Sequence, residues 1–393
     1  MKKYIILVAA AVVAMAACSK VDTPNAQREI NFTVANRVQT KADTYATTNT
    51  FGTYAWYTAN DASVAATTGS NHAAFMVNEE VGYVDPVWKT KHNTFYWPKT
   101  GSIDFISYSP FDGTNGTGDS NPAVTQTTIT YTGINVAEVD QTTNLPKNID
   151  YMYADKVNCA INNYATPGTK NDVPTVFRHA LAKVSFKIAA NFITYTDATT
   201  NTTTTWDVYV KSVKISGFKT TGNCELNLNA DGTTWGKPVT NLGTAADPEN
   251  VYVWTNLSGT SAEQELIENA SLTDNTKWIK LNAKNNPTTI NPASGFVMPQ
   301  VLAANTQKIE LAIHITTHLA NGLVIEEDYN PTLDLKDLSS LKAWQMNQNI
   351  VYNIQIKPVA YVSTYDDPND VIITFDPSIA DWETVDANVT IQL

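Results

Sequence analysis

Short runs of alternating hydrophobic and polar residues recur along most of the chain. A period of two is the pattern of a β-strand with one buried face, and such runs lie at residues 184–188, 309–315 and 351–356. Residues 51–57 and 103–108 also predict strands. Segments rich in Gly, Pro and Asn separate them and predict turns. Residues 335–344 alone favour a short helix. Many short strands joined by turns predict an all-β protein built of β-sandwiches.

Amphipathic strands are also predicted near both ends of the sequence. Near the N-terminus, Ile30, Phe32 and Val34 alternate with polar neighbours and predict a half-buried strand. At the C-terminus, the residues with the same spacing are Val389, Ile391 and Leu393. A strand at a chain end with no later segment to cover it pairs readily with another chain. The C-terminal residues are therefore a candidate donor strand.

A break rich in Pro, Gly and Asn at residues 162–174 predicts a domain boundary. We expect an N-terminal β-sandwich at residues 44–172 and a C-terminal β-sandwich at residues 173–393. The length of 393 residues is sufficient for two domains with their own cores.

The first residues carry the pattern of a lipoprotein signal peptide. Lys2 and Lys3 precede an apolar run at residues 4–14, and small residues lead to Cys18. The run is too short to span a bilayer. We expect residues 1–17 to be removed and Cys18 to be lipidated. Several acyl chains on Cys18 would anchor the protein far better than one. Residues 18–43 would then form a lipidated leader that contains the first strand.

Composition and charge narrow the classes of partner. The formal net charge of −12 argues against nucleic acid, which needs a basic surface. Only 16% of residues are charged, whereas 18 Tyr and 9 Trp favour strands over helices. The chain is expected to be a surface protein rather than a nucleic-acid-binding one.

The candidate catalytic groups do not form a recognisable motif. His314 and His318 would lie about 13 Å apart on a strand, too far apart to share a metal ion. His179 stands beside apolar residues and predicts a packed structural histidine. Neighbouring acidic residues at 79–80 and 326–328 point to opposite faces of a strand, unlike a glycosidase pair. We predict no enzyme activity, no catalytic residue, no cofactor and no metal site.

Aromatic residues and cysteines leave two alternatives open. Trp56, Trp88, Trp97, Trp206, Trp235, Trp254 and Trp278 would either pack in cores or form a stacking platform for sugars. A surface glycan-binding lipoprotein of similar β-sandwich fold is thus the alternative function. Cys159 and Cys224 would either pair or remain separate buried residues.

Several stretches together resemble the fimbrillin family, also called Mfa-like or type V pilins, of anaerobic Gram-negative bacteria. They include the lipobox ending at Cys18, the Ile30-Asn31-Phe32 run with Thr40-Lys41-Ala42 after it, and Phe51-Gly52-Thr53-Tyr54-Ala55. Further along are Phe95-Tyr96-Trp97-Pro98, Phe177-Arg178-His179-Ala180-Leu181 and Met298-Pro299-Gln300. These stretches occur in the family's order over nearly the whole chain.

The resemblance implies two transthyretin-like β-sandwich domains in tandem and export as an outer-membrane lipoprotein. It further implies cleavage near the N-terminus by an arginine-specific protease, which removes the first strand and opens a groove. A strand of the next subunit fills that groove, C-terminal in stalk pilins. The implied function is a structural subunit of a fimbria that serves cell adhesion, with other fimbrial subunits, host protein or host glycan as partners.

One departure from the family pattern concerns the cleavage site. The position that resembles the family's Thr-Arg-Ala site reads Thr40-Lys41-Ala42. Cleavage would occur at Arg37, or another protease would act at Lys41, or the leader would stay attached. The last case implies a permanently anchored subunit, so stalk, tip and anchor roles remain open.

Overall fold

The computed structural model describes residues 28–36, 45–59, 73–112, 121–138, 142, 147, 149–161, 172–190, 193–227, 252–260, 264–265, 272–282, 288–337, 341, 343–357 and 372–379. Nearly all the regular structure in these ranges is β-strand, which confirms the predicted all-β class. It is consistent with a β-sandwich fold. The transthyretin-like assignment of two tandem domains stays a prediction.

The strands of the described ranges are numbered in chain order. They are β1 (Phe32–Asn36), β2 (Thr50–Thr58), β3 (Ala73–Val84), β4 (Val87–Thr90), β5 (Ser102–Ser109), β6 (Ala123–Val124), β7 (Thr128–Asn135), β8 (Met152–Ala154), β9 (Val157–Ala160), β10 (Val173–His179), β11 (Ala182–Ala190), β12 (Thr194–Thr196), β13 (Thr203–Ser216), β14 (Lys219–Asn227), β15 (Tyr252–Thr260), β16 (Gln264–Glu265), β17 (Ile279–Lys280), β18 (Thr288–Val297), β19 (Gln300–Val301), β20 (Lys308–His318), β21 (Val324–Tyr329), β22 (Thr332–Asp334), β23 (Ala343–Trp344), β24 (Asn349–Lys357) and β25 (Ile372–Ile379). A 3-10 helix spans Asn275–Lys277.

The first sheet closes on itself. Its strand order is β2-β3-β4-β1-β10-β8-β5-β9, and an additional pairing of β2 with β5 completes a ring. The strand β1 is therefore one of the strands of the ring and lies between β4 and β10. Its neighbour β10 comes from far along the chain and runs parallel to it.

The remaining strands form three larger sheets and one small one. Their orders are β18-β11-β24-β25, β12-β13-β20-β21 with β16, β17 and β22 attached, β15-β14-β7-β6, and β19-β23. Hydrogen bonding crosses the expected boundary at 172/173 in two places. The strand β10 lies beyond 172 but pairs with β1 and β8, and β7 lies before it but pairs with β14. The predicted domain limits at 44–172 and 173–393 thus do not coincide with the limits of the sheets.

The buried apolar side chains of the described residues form two clusters. The leader core comprises residues of the first sheet and its loops: Ile30, Phe32, Tyr45, Phe51, Ala55, Met76, Val81, Trp88, Trp97, Ile103, Phe105, Met152, Ala154, Cys159, Ile161, Val173 and Phe177. The main core is built largely from β7, β11, β13, β14, β20 and β24. It also includes Trp56 and Tyr108 from the first sheet, so the first sheet contributes to both cores.

The predicted alternation is present in strands such as β11 and β20, and a phase change in β13 has a structural cause. In β20, Ile309, Leu311 and Ile313 are buried, as their period-2 spacing predicts. In β13, the buried positions shift from even to odd numbers between Val210 and Val213. A β-bulge between Val210 and Ser212 inserts the extra residue that turns the second half of the strand.

The predicted helix at residues 335–344 is wrong. The described part of this segment is a turn at Leu335–Asp337 followed, after a gap, by β23. The backbone N–H of Leu335 bonds the carbonyl of Gln307, and Trp344 pairs with Gln300. Tertiary pairing with distant strands therefore outweighs the local helix preference, which is a weak determinant over so few residues. Among the described residues, no helix has the length and apolarity needed to cross a membrane.

Candidate functional site

The segment that begins at Arg28 and ends with β1 occupies a groove in the leader core. Ile30 and Phe32 are only 1% and 2% exposed, whereas Thr33, on the opposite face of β1, is exposed to solvent. Val34 is partly buried against the same core. Ile30, Phe32 and Val34 thus all lie against the leader core.

Aromatic rings line the pocket that receives Phe32. The rings of Phe51 and Phe105 meet it edge to face, with centroids 5.7 Å and 5.8 Å away. Edge-to-face contacts add about 0.5–1.5 kcal/mol per pair to the gain from burying the rings. Phe32 is thus a central component of the leader core.

The backbone of this segment is hydrogen-bonded on both sides. On one side, residues 32–36 run parallel to residues 173–177 of β10. On the other side, the N–H of Ile30 bonds the carbonyl of Phe95 at 2.9 Å, and the N–H of Trp97 bonds the carbonyl of Arg28 at 2.9 Å. Loss of the segment would leave two rows of backbone groups without partners.

A second point of contact with the leader core, the side chain of Tyr45, lies just after the candidate cleavage sites. Tyr45 stacks on Phe177 in the leader core with ring centroids 5.0 Å apart. Its hydroxyl donates to the carbonyl of Thr50 at 2.9 Å and lies 2.8 Å from the Ser109 hydroxyl. Burial raises the pKa of Tyr45, so this phenol stays protonated at physiological pH. The chain is therefore fixed on both sides of residues 37–44.

One ion pair connects the leader segment to the residue immediately before β10. The Nη2 of Arg28 lies 3.1 Å from Oδ1 of Asp172, and both side chains are about one quarter exposed. Exposed pairs of this kind contribute about 0–1 kcal/mol. The apolar pockets, and not this ion pair, hold the leader segment.

The other predicted site residues lie outside the described residues. These are the lipidation site Cys18, the candidate cleavage residues Arg37 and Lys41, and the candidate donor residues Val389, Ile391 and Leu393. β1 nevertheless ends at Asn36, immediately before Arg37. A cut after either Arg37 or Lys41 would separate all of β1 from the rest of the chain.

The histidines and paired acids have structural partners. Nδ1 of His179 lies 2.7 Å from Asp150, and Nδ1 of His314 lies 2.8 Å from Asp328. Glu80 accepts from Lys91 and pairs with His92, whereas Glu79 accepts from Asn93, so the two acids serve different partners. Within the described ranges, no group of three His, Cys, Asp or Glu side chains is arranged to hold a metal ion.

The tryptophans and cysteines lie largely in cores. Trp56, Trp88, Trp97 and Trp206 are buried, and Trp278 is partly exposed. The side chains of Trp235 and Trp254 fall outside the described residues. Cys159 lies in the leader core, whereas Cys224 carries a free thiol in the main core, so the two do not bond to each other. Burial raises the pKa of the Cys224 thiol.

Sequence reasoning missed the side chains that line the groove around Ile30 and Phe32. Tyr45, Trp88 and Phe105 line it but lie in three separate segments, and Tyr45 lies in a stretch without periodicity. The high content of aromatic residues was a signal that such a core exists. It does not tell which rings surround which strand.

Comparisons with known proteins agree with this architecture. The solved structure of a fimbrial protein from Bacteroides vulgatus is similar, with a TM-score of 0.57 and 18% identity over 91% of this chain and 100% of that one. This likeness concerns the fold. Two further structures have TM-scores too low to support an argument. One is a proposed cell adhesion protein from Bacteroides uniformis, with a TM-score of 0.43 and 16% identity over 91% of this chain and 99% of that one. The other is the C-terminally truncated tip fimbrial protein Mfa3 from Porphyromonas gingivalis, with a TM-score of 0.34 and 11% identity over 90% of this chain and 100% of that one.

A search against curated proteins gives no significant match. The family model described as fimbrillin-like, in contrast, matches residues 37–382, which is most of the sequence. The stretches that resemble fimbrillins and the closed sheet around β1 lie largely within this range. The chain belongs to the fimbrillin-like family.

Proposed function

We propose that this protein is a structural subunit of a bacterial fimbria that assembles by strand exchange after proteolysis. In this proposal the protein is exported as a lipoprotein, lipidated at Cys18 and held at the outer membrane. Cleavage after Arg37 or Lys41 releases the leader, and a C-terminal strand of another subunit takes its place. The partners are other fimbrial subunits, and the assembled fimbria serves adhesion to host protein or glycan.

The observation that carries this proposal is the position of β1. It is an interior strand of a closed sheet, yet it lies next to candidate cleavage sites, so one cut would leave it attached by noncovalent contacts alone. An interior strand that becomes detachable is the arrangement that β-strand addition needs.

The free energy of the pockets explains why the groove would be refilled. Full burial of an Ile or Phe side chain contributes about 1.5–3 kcal/mol, so the pockets of Ile30 and Phe32 account for about 3–6 kcal/mol. The total stability of a domain is only about 5–15 kcal/mol. An empty groove would therefore destabilise the first sheet strongly, and a strand with apolar residues at every second position would be bound firmly.

The C-terminal residues have the required pattern. Val389, Ile391 and Leu393 repeat the two-residue spacing of Ile30, Phe32 and Val34. Main-chain hydrogen bonds to β4 and β10 would provide affinity, and the alternating pockets would fix the register. The choice between Arg37 and Lys41 decides which protease acts, and a leader that is never cut would make this subunit a permanent anchor.

A processing experiment tests the proposal. The chain from Ser19 onward is treated with a low dose of a trypsin-like protease, and mass and oligomer size are followed. We expect a cut at Arg37 or Lys41, dissociation of the leader and a ladder of oligomers. Arg37→Gln and Lys41→Gln, singly and together, identify the cut.

The matched control is the chain without residues 388–393, which should be cleaved equally and remain monomeric. A second control, Ile391→Asp, keeps the chain length and removes the apolar contact. Cleaved wild-type protein that stays monomeric at high concentration, with its leader lost, would refute strand exchange.

A further inference from the structure

Within the leader segment, the side chain of Asn31 is poorly matched to its surroundings. Its Oδ1 atom is inaccessible to solvent, and no donor of the described residues bonds it. Buried polar side chains in folded proteins nearly always have a hydrogen-bond partner. An amide oxygen that has given up water for no protein donor carries its full desolvation cost.

The register of the segment prevents Asn31 from escaping this position. Ile30 and Phe32 on either side fill apolar pockets, and neighbouring residues of an extended segment point to opposite sides. The carbonyl of Asn31 accepts the N–H of Val173 at 2.9 Å, so its backbone is also fixed. A shift by one residue would bring the amide into a pocket and both apolar side chains out of theirs.

The other polar side chains near Asn31 do not share this cost. Arg28 is paired with Asp172, and Thr33, on the same face as Asn31, is exposed to solvent. Asparagine is in addition one of the residues that strands disfavour. Asn31 therefore lowers the affinity of the leader for a groove that otherwise fits it well.

The candidate donor strand differs from the leader at this position. In the exchange proposed above, the apolar residues of the donor take the pockets of the leader, and Thr390 then takes the place of Asn31. Threonine has no amide, and its single hydroxyl rotates to donate or accept. It is also β-branched, which strands favour.

We infer that Asn31 is the residue by which the groove distinguishes the leader from the incoming strand. It weakens the leader enough for a strand with threonine at that position to displace it. This inference rests on the proposed strand exchange and gives that exchange its direction. In the uncut chain the leader is covalently joined to its groove, so its high effective concentration outweighs the cost of Asn31. After the cut this advantage is lost.

Three substitutions separate the polarity of Asn31 from its shape. Asn31→Thr copies the donor strand, and Asn31→Leu approximately keeps the shape while it removes both polar atoms. Asn31→Asp keeps the shape and places a charge in the enclosed position, close to Asp172, so it should act in the opposite direction. The matched control is Thr33→Leu, an apolar substitution on the same face at an exposed position.

The first measurement uses the uncut chain from Ser19 onward. Urea unfolding should show an equilibrium constant of unfolding about tenfold lower in Asn31→Thr and Asn31→Leu, because a buried unsatisfied group is removed. Asn31→Asp should raise this constant, and Thr33→Leu should change it less than about twofold. Hydrogen exchange of the Val173 N–H, which bonds the carbonyl of Asn31, reports the same order of effects locally.

The second measurement follows the leader after cleavage. It uses the chain without residues 388–393, so the C-terminus of the protein cannot refill the groove. A synthetic peptide of residues 387–393 is added, and release of the leader is followed by mass. We expect release to be about tenfold slower in Asn31→Thr, and a Thr390→Asn peptide to be about tenfold less effective than the wild-type peptide.

The outcomes that contradict the inference are distinct from those that contradict strand exchange. If both peptides displace the leader equally well, or if Asn31→Thr releases its leader as fast as the wild type, strand exchange stands and the role of Asn31 fails. Unchanged or lower stability of both Asn31→Thr and Asn31→Leu in the uncut chain would also refute it. If neither peptide displaces the leader of any variant, strand exchange fails, and the inference fails with it.

Discussion

The strands β1 and β24 are both interior strands of their sheets, but they are attached to their neighbours differently. Each lies parallel to a strand far away in sequence, β1 beside β10 and β24 beside β11. The ladder of β24 extends along residues 349–356 on one side and 350–357 on the other, where it meets β25. The ladder of β1 covers residues 32–36 beside β10 but only Phe32 beside β4.

The comparison shows that the two interior strands differ in how much of their backbone is paired. Both strands bury large side chains, so burial alone does not distinguish them. β24 is bonded along its full length on two sides, whereas β1 depends on a short ladder and on the pockets for Ile30 and Phe32. In the proposed strand exchange, β1 is therefore the strand that another strand with the same spacing would replace.

The largest expected effect comes from emptying one pocket in each region. Phe32→Ala and the matched Phe186→Ala, in β11, each remove a buried ring and should lower the free energy of unfolding by about 3–5 kcal/mol. After cleavage, only Phe32→Ala should speed release of the leader. Urea unfolding and size-exclusion chromatography coupled to mass measurement check both points. Equal leader release in Phe32→Ala and wild type would contradict the pocket-based attachment of β1.

Substitution of two glycines tests the rigidity of the backbone around Gly217. Gly217 has a φ of +72°, and an added Cβ would lie 1.9 Å from the carbonyl oxygen of Thr306. Gly217→Ala should therefore lower stability by about 2 kcal/mol or more. The control Gly133→Ala has a φ of +69° with open space around the Cβ, so only the backbone cost of about 1 kcal/mol is expected. Similar thermal midpoints for the two variants would show that the Thr306 backbone moves away freely.

The β3–β4 hairpin beside β1 provides a pH-dependent test. Burial opposes ionisation of Glu80, but hydrogen bonds from Lys91 at 2.8 Å and with His92 at 3.0 Å lower its pKa below the ordinary 4.5. Such a carboxylate stabilises the fold above pH 4.5 and loses this effect as the pH falls through the lowered pKa. Glu80→Gln should thus cost about 1–2 kcal/mol at pH 7.

Unfolding of wild type and Glu80→Gln in urea from pH 7 to pH 3 measures this difference. The gap should close toward the acid end. Glu79→Gln is the control, because Glu79 bonds only the exposed amide of Asn93 among the partners given above. A gap that widens on acidification would mean that Glu80 is protonated in the folded state.

The smallest effect is expected at the ion pair of the leader. Asp172→Asn removes the charge opposite Arg28 and should lower stability by at most about 1 kcal/mol. The loss should shrink further in high salt, since screening weakens exposed pairs. Leader retention after cleavage, measured at low and high salt, checks this. A loss as large as that of Phe32→Ala would mean that charge, and not apolar burial, holds the leader.

Most strands and their inward faces could be predicted from the sequence. The alternation in β11, β20 and β24 depends on neighbouring residues alone, because side chains of a strand point to opposite sides in turn. The inward face of β1 was predicted for the same reason. The helix prediction at 335–344 failed because distant partners decided that segment.

The sequence by itself determined the all-β class and the two-residue spacing of the apolar side chains in strands such as β20 and β24. The tertiary structure alone decided that β1 lies between β4 and β10 and that β7 joins β14. The physical reason is that the period of a strand is set locally, whereas its neighbours are selected by packing and hydrogen bonds between segments far apart in the chain.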